Sequence, residues 1–151
     1  IGLMSEAGCP AVADPGAQLV RLAHEKGIEV VPFVGASSIL LALMGSGMQG
    51  QSFAFVGYLP VEVAQRRRQL IQLEKQSQSA NQTQLFIETP YRNDAMLETC
   101  LSALANNTLL GVAADLTLPT QFIQTKTVGA WKKSPLPNLH RRPAIFMIYA
   151  G

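Results

Sequence analysis

Two observations predict an α/β fold for this chain. Short apolar, β-branched runs alternate with segments that repeat apolar residues at helical spacing, as in strand 1–4, helix 17–27 and strand 28–33. Glycine and proline cluster between these segments, where strands give way to helices. A strand, a helix and a second strand in succession form a right-handed βαβ unit, so the first strands are expected to lie parallel.

The composition sets limits on the class of protein. The chain has 151 residues, of which 48% are hydrophobic, and a formal net charge of +2, which is too small to indicate a nucleic-acid partner by itself. No apolar run is long enough to span a bilayer. Cys9 and Cys100 lie far apart in sequence, and the two histidines lack neighbours at ligand spacing. We therefore expect reduced thiols, no metal site and a cytoplasmic protein.

A glycine-rich segment divides the chain. Residues 45–52 contain three glycines and no periodicity, which predicts a linker between a first domain at 1–47 and a second at 48–151. The strand predicted at 122–128 has a partly alternating pattern, so the second sheet is expected to have some antiparallel character near its end and to be mixed. The predicted strands of the second domain are 53–58, 84–88, 109–114, 122–128 and 144–149, and its predicted helices are 61–76, 95–105 and a short helix at Trp131. Residues 77–82 are polar and predict a loop, and the basic run His140-Arg141-Arg142 has no assigned role. Residues 39–44 are apolar on nearly every side and predict a buried helix at the end of the first domain. A parallel sheet in the first domain needs more strands than 1–47 provides, so we expect further strands before Ile1.

The loop between strand 1–4 and helix 17–27 is the main candidate for a binding site. It reads Ser-Glu-Ala-Gly-Cys-Pro-Ala-Val-Ala-Asp-Pro-Gly over residues 5–16. Ligands of parallel sheets bind beyond the carboxyl ends of the strands, where this loop lies. The simpler interpretation is a strand-to-helix turn with Asp14 as N-cap and Pro15 at the first helical position. That interpretation accounts for Asp14 and Pro15 but not for the length of the loop.

This stretch resembles the S-[DE]-A-G-x-P-x-x-x-D-P-G signature of the tetrapyrrole methylase superfamily, whose members use S-adenosylmethionine. The greatest likeness is to the bacterial small-subunit rRNA cytidine 2′-O-methyltransferase branch. Three later segments resemble the elements G-F-L-P-x-K-x-x-x-R, E-x-P-H-R and E-L-T-K of that branch: Gly57-Tyr58-Leu59-Pro60 with Arg66, Glu88-Thr89-Pro90-Tyr91-Arg92, and Asp115-Leu116-Thr117. The chain departs from these elements where Glu62, Tyr91 and Leu118 replace Lys, His and Lys.

The resemblance implies a fold, a cofactor and a set of site residues. The fold would be two α/β/α domains of the tetrapyrrole methylase type, the first with a parallel sheet and the second with a mixed sheet, assembled as a homodimer. The residues implied to hold S-adenosylmethionine are Ser5, Glu6, Ala7, Gly8, Pro10, Ser37, Ser38, Asp115, Leu116 and Ala144. The residues implied to meet the substrate are Arg66, Tyr91 and Arg92.

Several alternatives remain open at the level of the sequence. The implied reaction is methyl transfer to ribosomal RNA, with a corrin or porphyrin methyltransferase as the second possibility. A protein that keeps the cofactor fold without transfer activity is the third, motivated by the three substitutions. No catalytic residue is assigned: Glu6, Glu88, Asp115 and Tyr91 could accept a proton, but a capping or hydrogen-bonding role is simpler for each. Arg66 could equally belong to an RNA-binding surface or to a solvated helix face.

Overall fold

The structure is a computed structural model, and it describes residues 1–6 and 8–151. The chain divides into two compact units, Ile1–Ser38 and Ile39–Gly151. The first unit contains one helix, α1 (Ala17–Glu25), among its described residues. This helix begins two residues beyond Pro15, with Gly16 rather than Asp14 as the N-cap residue. It ends at Glu25, and Gly27, two residues further on, has the positive φ predicted for it, 63°, and donates its N–H to the carbonyl of His24.

The strands predicted at 1–4 and 28–33 are not formed in the described part of the first unit. A strand is stabilised by hydrogen bonds to a neighbouring strand, and no strand partner lies among these described residues. The apolar side chains of the second segment are instead open to solvent: Phe33 is 91% exposed and Val34, which follows it, is fully exposed. Residues 1–6 and 8–47 therefore form no parallel sheet by themselves, and the parallel sheet of the first domain stays a prediction.

The second unit contains one five-stranded sheet and most of the helices. Its elements in chain order are α2 (Ser38–Ser46), which begins at the end of the first unit, β1 (Phe53–Tyr58), α3 (Val63–Ala80), β2 (Thr83–Ile87), a 3-10 turn (Pro90–Arg92), α4 (Asn93–Ala103), β3 (Leu109–Ala114), β4 (Phe122–Thr127), α5 (Val128–Trp131) and β5 (Ala144–Tyr149).

The sheet has the order β1-β2-β5-β3-β4 and is mixed, as predicted. β1 and β2 are parallel, β5 is antiparallel to both β2 and β3, and β4 is antiparallel to β3. The carboxyl ends of β1, β2 and β3 consequently lie at one edge of the sheet, together with the beginning of β5. The loops that follow β2 and β3, and the loop that precedes β5, therefore meet at this edge.

Apolar side chains cover both faces of the sheet. On one face, α3, α4 and α5 bury a large cluster that includes Phe86, Phe146 and Trp131. The rings of Phe86 and Phe146 stack with centroids 5.7 Å apart. On the other face, Ile39 and Leu43 of α2 pack with residues of β2, β3 and β5. The opposite side of α2 is exposed, so the sequence prediction of a helix buried on nearly every side is only half right.

One helix is longer than its sequence pattern indicates. Residues 77–82 are polar and were expected to form a loop, but α3 continues to Ala80 and ends at Asn81 in a left-handed conformation. Tertiary contact explains the extension, because Ser77 is fully buried and its hydroxyl accepts a hydrogen bond from the N–H of Ala150. No helix among the described residues has the length and apolar character needed to cross a membrane.

Candidate cofactor and substrate site

The loop at residues 5–16 has an irregular backbone. Gly8, Ala11, Ala13 and Gly16 all have positive φ values, of 85°, 63°, 54° and 138°. Positive φ values at these four positions, no two of them adjacent, turn the chain sharply. Within the loop, the N–H of Val12 donates to the carbonyl of Cys9. An added Cβ at Gly8 would meet no atom within 4 Å, so the backbone there faces open space. The structure thus provides the close backbone access that a cofactor loop needs.

The predicted cofactor residues of the first unit lie in two neighbouring segments. The thiol of Cys9 donates a hydrogen bond to the carbonyl oxygen of Ala36 at 3.5 Å. This contact connects the 5–16 loop to the segment that contains Ser37 and Ser38. Ser5 and Ser37 are half-buried, whereas Glu6, Gly8, Pro10 and Ser38 are exposed. Ala7 was also predicted to hold the cofactor, and it lies outside the described residues.

In the second unit, three loops meet at the edge of the sheet where β2 and β3 end and β5 begins. We call residues 88–94, 115–121 and 138–143 the strand-end cluster. Asn93 is fully buried and its side chain donates to the carbonyl of Arg142 at 2.6 Å. The N–H of Leu139 donates to Asp94 at 2.9 Å, and the N–H of Arg141 donates to the carbonyl of Pro90 at 3.0 Å. These bonds fix the loop before β5 against the turn after β2.

Glu88 and Arg92 form an ion pair inside this cluster. The Oε1 atom of Glu88 accepts from Arg92 at 2.8 Å and from the N–H of Thr89 at 2.6 Å. Burial of the Glu88 carboxylate favours a higher pKa, but these hydrogen bonds outweigh it and hold the pKa of Glu88 below its usual range. The Oε2 atom of Glu88 and the Nε atom of Arg92 are buried and have no hydrogen-bond partner. One buried hydrogen-bond acceptor and one buried donor are thus left without a partner in the protein.

Asp115 is the first residue after β3, as Glu88 is the first residue after β2. Its φ is 50°, and its N–H donates to the carbonyl of Pro143, directly before Ala144. Its carboxylate accepts from Arg142 at 2.7 Å and from the hydroxyl of Thr120 at 2.9 Å. The hydrogen bond from Arg142 lowers the pKa of Asp115, and the bond from Thr120 adds to this against the opposing effect of burial. Asp115 is therefore an ionised anchor for the loop.

The predicted cofactor residues of the second unit lie together around this anchor. Ala114 and Ala144 are register partners in the pairing of β3 with β5, so Asp115 and Ala144 are close neighbours. Leu116 is half-buried and packs against the cluster formed with α2. Its neighbour Thr117 has a φ of 71°, so two of the three residues 115–117 are left-handed. Within this turn, the N–H of Leu118 donates to the carbonyl of Asp115 and the N–H of Thr117 donates to the side chain of Gln121.

The structure gives Arg66 a structural role, which corrects the predicted contact with substrate. Arg66 is only 3% exposed. Its guanidinium donates to the hydroxyl of Thr99 at 2.9 and 3.1 Å and to the carbonyl of Val61 at 3.3 Å. A buried guanidinium that is satisfied by protein acceptors is not available to an RNA phosphate. Arg92 and Tyr91, the other predicted substrate residues, are half-buried and exposed.

One departure from the family pattern has a local explanation. Glu62 stands where the rRNA branch has Lys, and it caps the amino end of α3 by accepting from the N–H groups of Ala64 and Gln65 at 2.9 and 2.8 Å. These backbone hydrogen bonds lower the pKa of Glu62. Leu118 is exposed, and nothing in the structure explains its replacement of Lys.

Sequence reasoning missed the partners that organise the strand-end cluster. Arg142, Thr120 and Asn93 hold its loops together, yet only the basic run around Arg142 was visible in the sequence, and it carried no assigned role. Their partners are distant in sequence: 27 residues separate Arg142 from Asp115, and 49 separate Asn93 from Arg142. The described residues contain no group of His, Cys, Asp or Glu that could hold a metal ion.

Comparison with solved structures identifies the class of fold. The chain matches the methyltransferase CobJ with a TM-score of 0.60 and 15% identity, over 94% of this chain and 61% of CobJ. It matches the cobalt precorrin-4 methyltransferase CbiF with a TM-score of 0.57 and 19% identity, over 94% and 61%. Uroporphyrin-III C-methyltransferase from Thermus thermophilus, complexed with S-adenosyl homocysteine, gives 0.51 and 17%, over 94% and 62%. The fold is that of the tetrapyrrole methylases.

Comparison with curated protein sequences narrows the class of protein within this fold. Ribosomal RNA small subunit methyltransferase I of Halalkalibacterium halodurans is 40% identical over 70% of this chain and 35% of its own length. The proteins of that name from Vibrio cholerae and Mesorhizobium japonicum are 35% and 37% identical, over 82% and 86% of this chain. No protein-family model matches the chain. The resemblance to the tetrapyrrole methylase superfamily, and to its rRNA branch, is confirmed.

These matches extend over only part of each relative. The chain spans 35%, 42% and 43% of the length of the three relatives.

Proposed function

We propose that this chain is part of an S-adenosylmethionine-dependent methyltransferase that acts on small-subunit ribosomal RNA, at the 2′-hydroxyl of a cytidine. The observation that carries the proposal is the sequence identity of 35–40% to proteins named ribosomal RNA small subunit methyltransferase I. The left-handed, open loop at residues 5–16, which holds the superfamily signature, supports the same assignment.

The residues of the first unit fit the needs of this cofactor. Its amino-acid and adenosine ends require backbone N–H and C=O groups with a few hydroxyls. Gly8 offers backbone beside open space, Ser38 is exposed, and Ser5 and Ser37 lie half-buried in the same two segments. In the second unit, we assign cofactor contacts to Asp115, Leu116 and Ala144. When bound, S-adenosylmethionine supplies an activated methyl group and its leaving group.

The chain's own contribution is to position the acceptor rather than to supply a strong base. Holding acceptor and methyl donor in line can lower the barrier by roughly 7–11 kcal/mol. Glu88 and Asp115 are poor candidates for the base, because each is engaged with an arginine and has a lowered pKa. Arg92, whose side chain is 40% exposed, is paired with Glu88, and we assign it a contact with an RNA phosphate or hydroxyl.

A methyl-transfer assay tests the proposed function. The full-length protein is mixed with labelled S-adenosylmethionine and with small ribosomal subunits from cells that lack the modification. We expect label to appear in the ribosomal RNA, and subunits already carrying the modification to remain unlabelled. Label appearing only in a corrin or porphyrin added to the same assay would contradict the RNA assignment. Cofactor binding without transfer to any of these acceptors would favour a non-catalytic binding protein.

Cys9 provides an independent test of the cofactor loop. Its thiol is half-buried within residues 5–16, whereas Cys100 is fully buried and burial raises the pKa of its thiol to about 12. An alkylating reagent should therefore modify Cys9 in the folded protein and spare Cys100. We expect saturating S-adenosylmethionine to slow the alkylation of Cys9 at least tenfold, because the ligand covers the loop.

The control for this experiment is ATP, which shares the adenosine group but lacks the methionine moiety. ATP should give little protection at the same concentration. Mass spectrometry assigns the modified cysteine, and Cys100 serves as an internal reference in every sample. Equal rates of Cys9 alkylation with and without S-adenosylmethionine would place the cofactor elsewhere.

We also propose that the first unit is part of a larger domain with a parallel sheet, and that residues 1–47 are its carboxyl-terminal part. Support comes from the exposed apolar side chains of the unit, such as Phe33 and Val34, and from the greater length of the relatives. Homodimer formation and a cytoplasmic location, both expected from the sequence, stay predictions.

A further inference from the structure

An exposed aromatic ring and two basic side chains lie together in the strand-end cluster. Tyr91 is 69% exposed, in the 3-10 turn after β2. The guanidinium carbon of Arg141 is 5.6 Å from the centroid of the Tyr91 ring, and the ring of His140 meets the Tyr91 ring edge-on, with centroids 6.0 Å apart. Arg141 and His140 are also exposed. We call Tyr91, His140 and Arg141 the aromatic–basic triad.

The backbone holds this triad in place from both sides. The N–H of Arg141 donates to the carbonyl of Pro90, directly before Tyr91. Arg141 has a φ of 60°, a conformation that a non-glycine residue keeps only where its surroundings enforce it. On the other side of the triad, Leu139 is fully buried and its N–H is bonded to Asp94. The three side chains are therefore presented to solvent on a fixed base.

The charge of the triad is available to a ligand. The ion pairs among residues 1–6 and 8–151 are Arg92 with Glu88 and Arg142 with Asp115. Arg141 belongs to neither pair, although three acidic residues lie within the strand-end cluster. An exposed cation beside an exposed aromatic face suits a group that is both planar and anionic.

We propose that the aromatic–basic triad binds an unpaired nucleotide of the RNA substrate, with the base stacked on Tyr91 and the adjoining phosphate on Arg141. The proposal rests on the proposed function and names a contact that its substrate would make. Stacking requires an unstacked base with a free face, so the triad should bind single-stranded RNA and not a continuous duplex. The replacement of the family's His by Tyr at position 91 fits this role, because tyrosine offers a larger ring for stacking.

The test measures RNA binding by the full-length protein and its variants. The probes are a fluorescent single-stranded oligocytidine and an RNA duplex of the same length. We expect Tyr91→Ala to weaken binding of the single strand by about fivefold to a hundredfold, as for the loss of one stacked base, and to change duplex binding little. Tyr91→Phe should bind the single strand as well as the wild type, since the ring is kept. Arg141→Ala should weaken binding of the single strand. It should also make the affinity less dependent on salt concentration, by the contribution of about one phosphate contact.

Two controls separate this proposal from the proposed function. Lys75→Ala removes an exposed cation on α3, outside the strand-end cluster, and should leave oligocytidine binding unchanged. Cofactor binding by each variant should equal that of the wild type, which shows that the variants are folded.

Wild-type affinity of Tyr91→Ala for oligocytidine, in a protein that methylates ribosomal RNA, would contradict the proposed role of the triad and leave the proposed function standing. Equal losses for single strand and duplex would also overturn it, because they exclude stacking. A wild-type protein that neither methylates nor binds RNA would overturn both.

Discussion

Gly8→Val is expected to abolish binding of S-adenosylmethionine, with a loss of at least a hundredfold in affinity, and to leave the protein folded. Gly8 has a φ of 85°, which a β-branched residue adopts only at a cost of about 1–2 kcal/mol or more. Its Cβ position faces open space, so the substitution causes no clash with the protein itself. The same space is where we place the cofactor, and valine would occupy it.

Gly27→Val is the matched control for this variant. Gly27 also has a positive φ, of 63°, and a Cβ added there would also meet no atom within 4 Å. Both variants therefore carry a similar backbone strain, but Gly27 lies at the end of α1 and outside the 5–16 loop. Isothermal titration of the full-length proteins should give near-wild-type affinity for Gly27→Val and no measurable binding for Gly8→Val. Similar affinities for the two variants would remove the cofactor from the loop and contradict the proposed site.

Trp131→Ala is expected to lower the free energy of unfolding by about 3–5 kcal/mol, the usual cost of deleting a buried aromatic side chain. Trp131 is fully buried in the cluster between the sheet and helices α3, α4 and α5. Its indole N–H donates to the carbonyl of Leu110 in the inner strand β3 at 2.8 Å. Alanine would leave a cavity and remove that hydrogen bond.

Two further variants distinguish these contributions. Trp131→Phe keeps most of the apolar volume and loses the donor, so a loss of about 1 kcal/mol is expected. Met44→Ala shortens a side chain that is 79% exposed and should change stability little. Urea unfolding is followed by circular dichroism, because Trp131 is the chain's one tryptophan and its fluorescence disappears with the substitution. Near-wild-type stability of Trp131→Ala would show that this cluster does not hold the sheet together.

Much of the second unit could be predicted from the sequence because its local patterns agree with its tertiary contacts. β3 and β5 form over the predicted ranges, Leu109–Ala114 and Ala144–Tyr149. Both strands are continuous apolar runs, and both are buried in the middle of the sheet, where such runs are required. The short helix at Trp131 and the mixed character of the sheet were also expected.

The site could be predicted only as far as its segments. The motif at 5–16 in the first unit and those at 88–92 and 115–117 in the second predicted loops, because glycine, proline and acidic residues at strand ends mark turns. The binding roles of these loops stay predictions. The roles of individual side chains were harder to predict from the sequence. Arg66 matched a family position, but burial against Thr99 removed it from the substrate surface. A sequence motif does not say whether a side chain lies inside or outside the protein.

The sequence by itself determined the α/β class of the fold and the order of the strands in the second unit, because periodicity and glycine placement are local properties of the chain. The cofactor loop at 5–16 stays a prediction. The tertiary structure alone decided which distant groups meet. It pairs Arg142 with Asp115, joins Arg141 to the Tyr91 turn, and extends α3 by burying Ser77. It also leaves residues 1–4 and 28–33 without strand partners in the described chain. Hydrogen bonds and ion pairs between distant residues depend on three-dimensional proximity, which local sequence patterns do not predict.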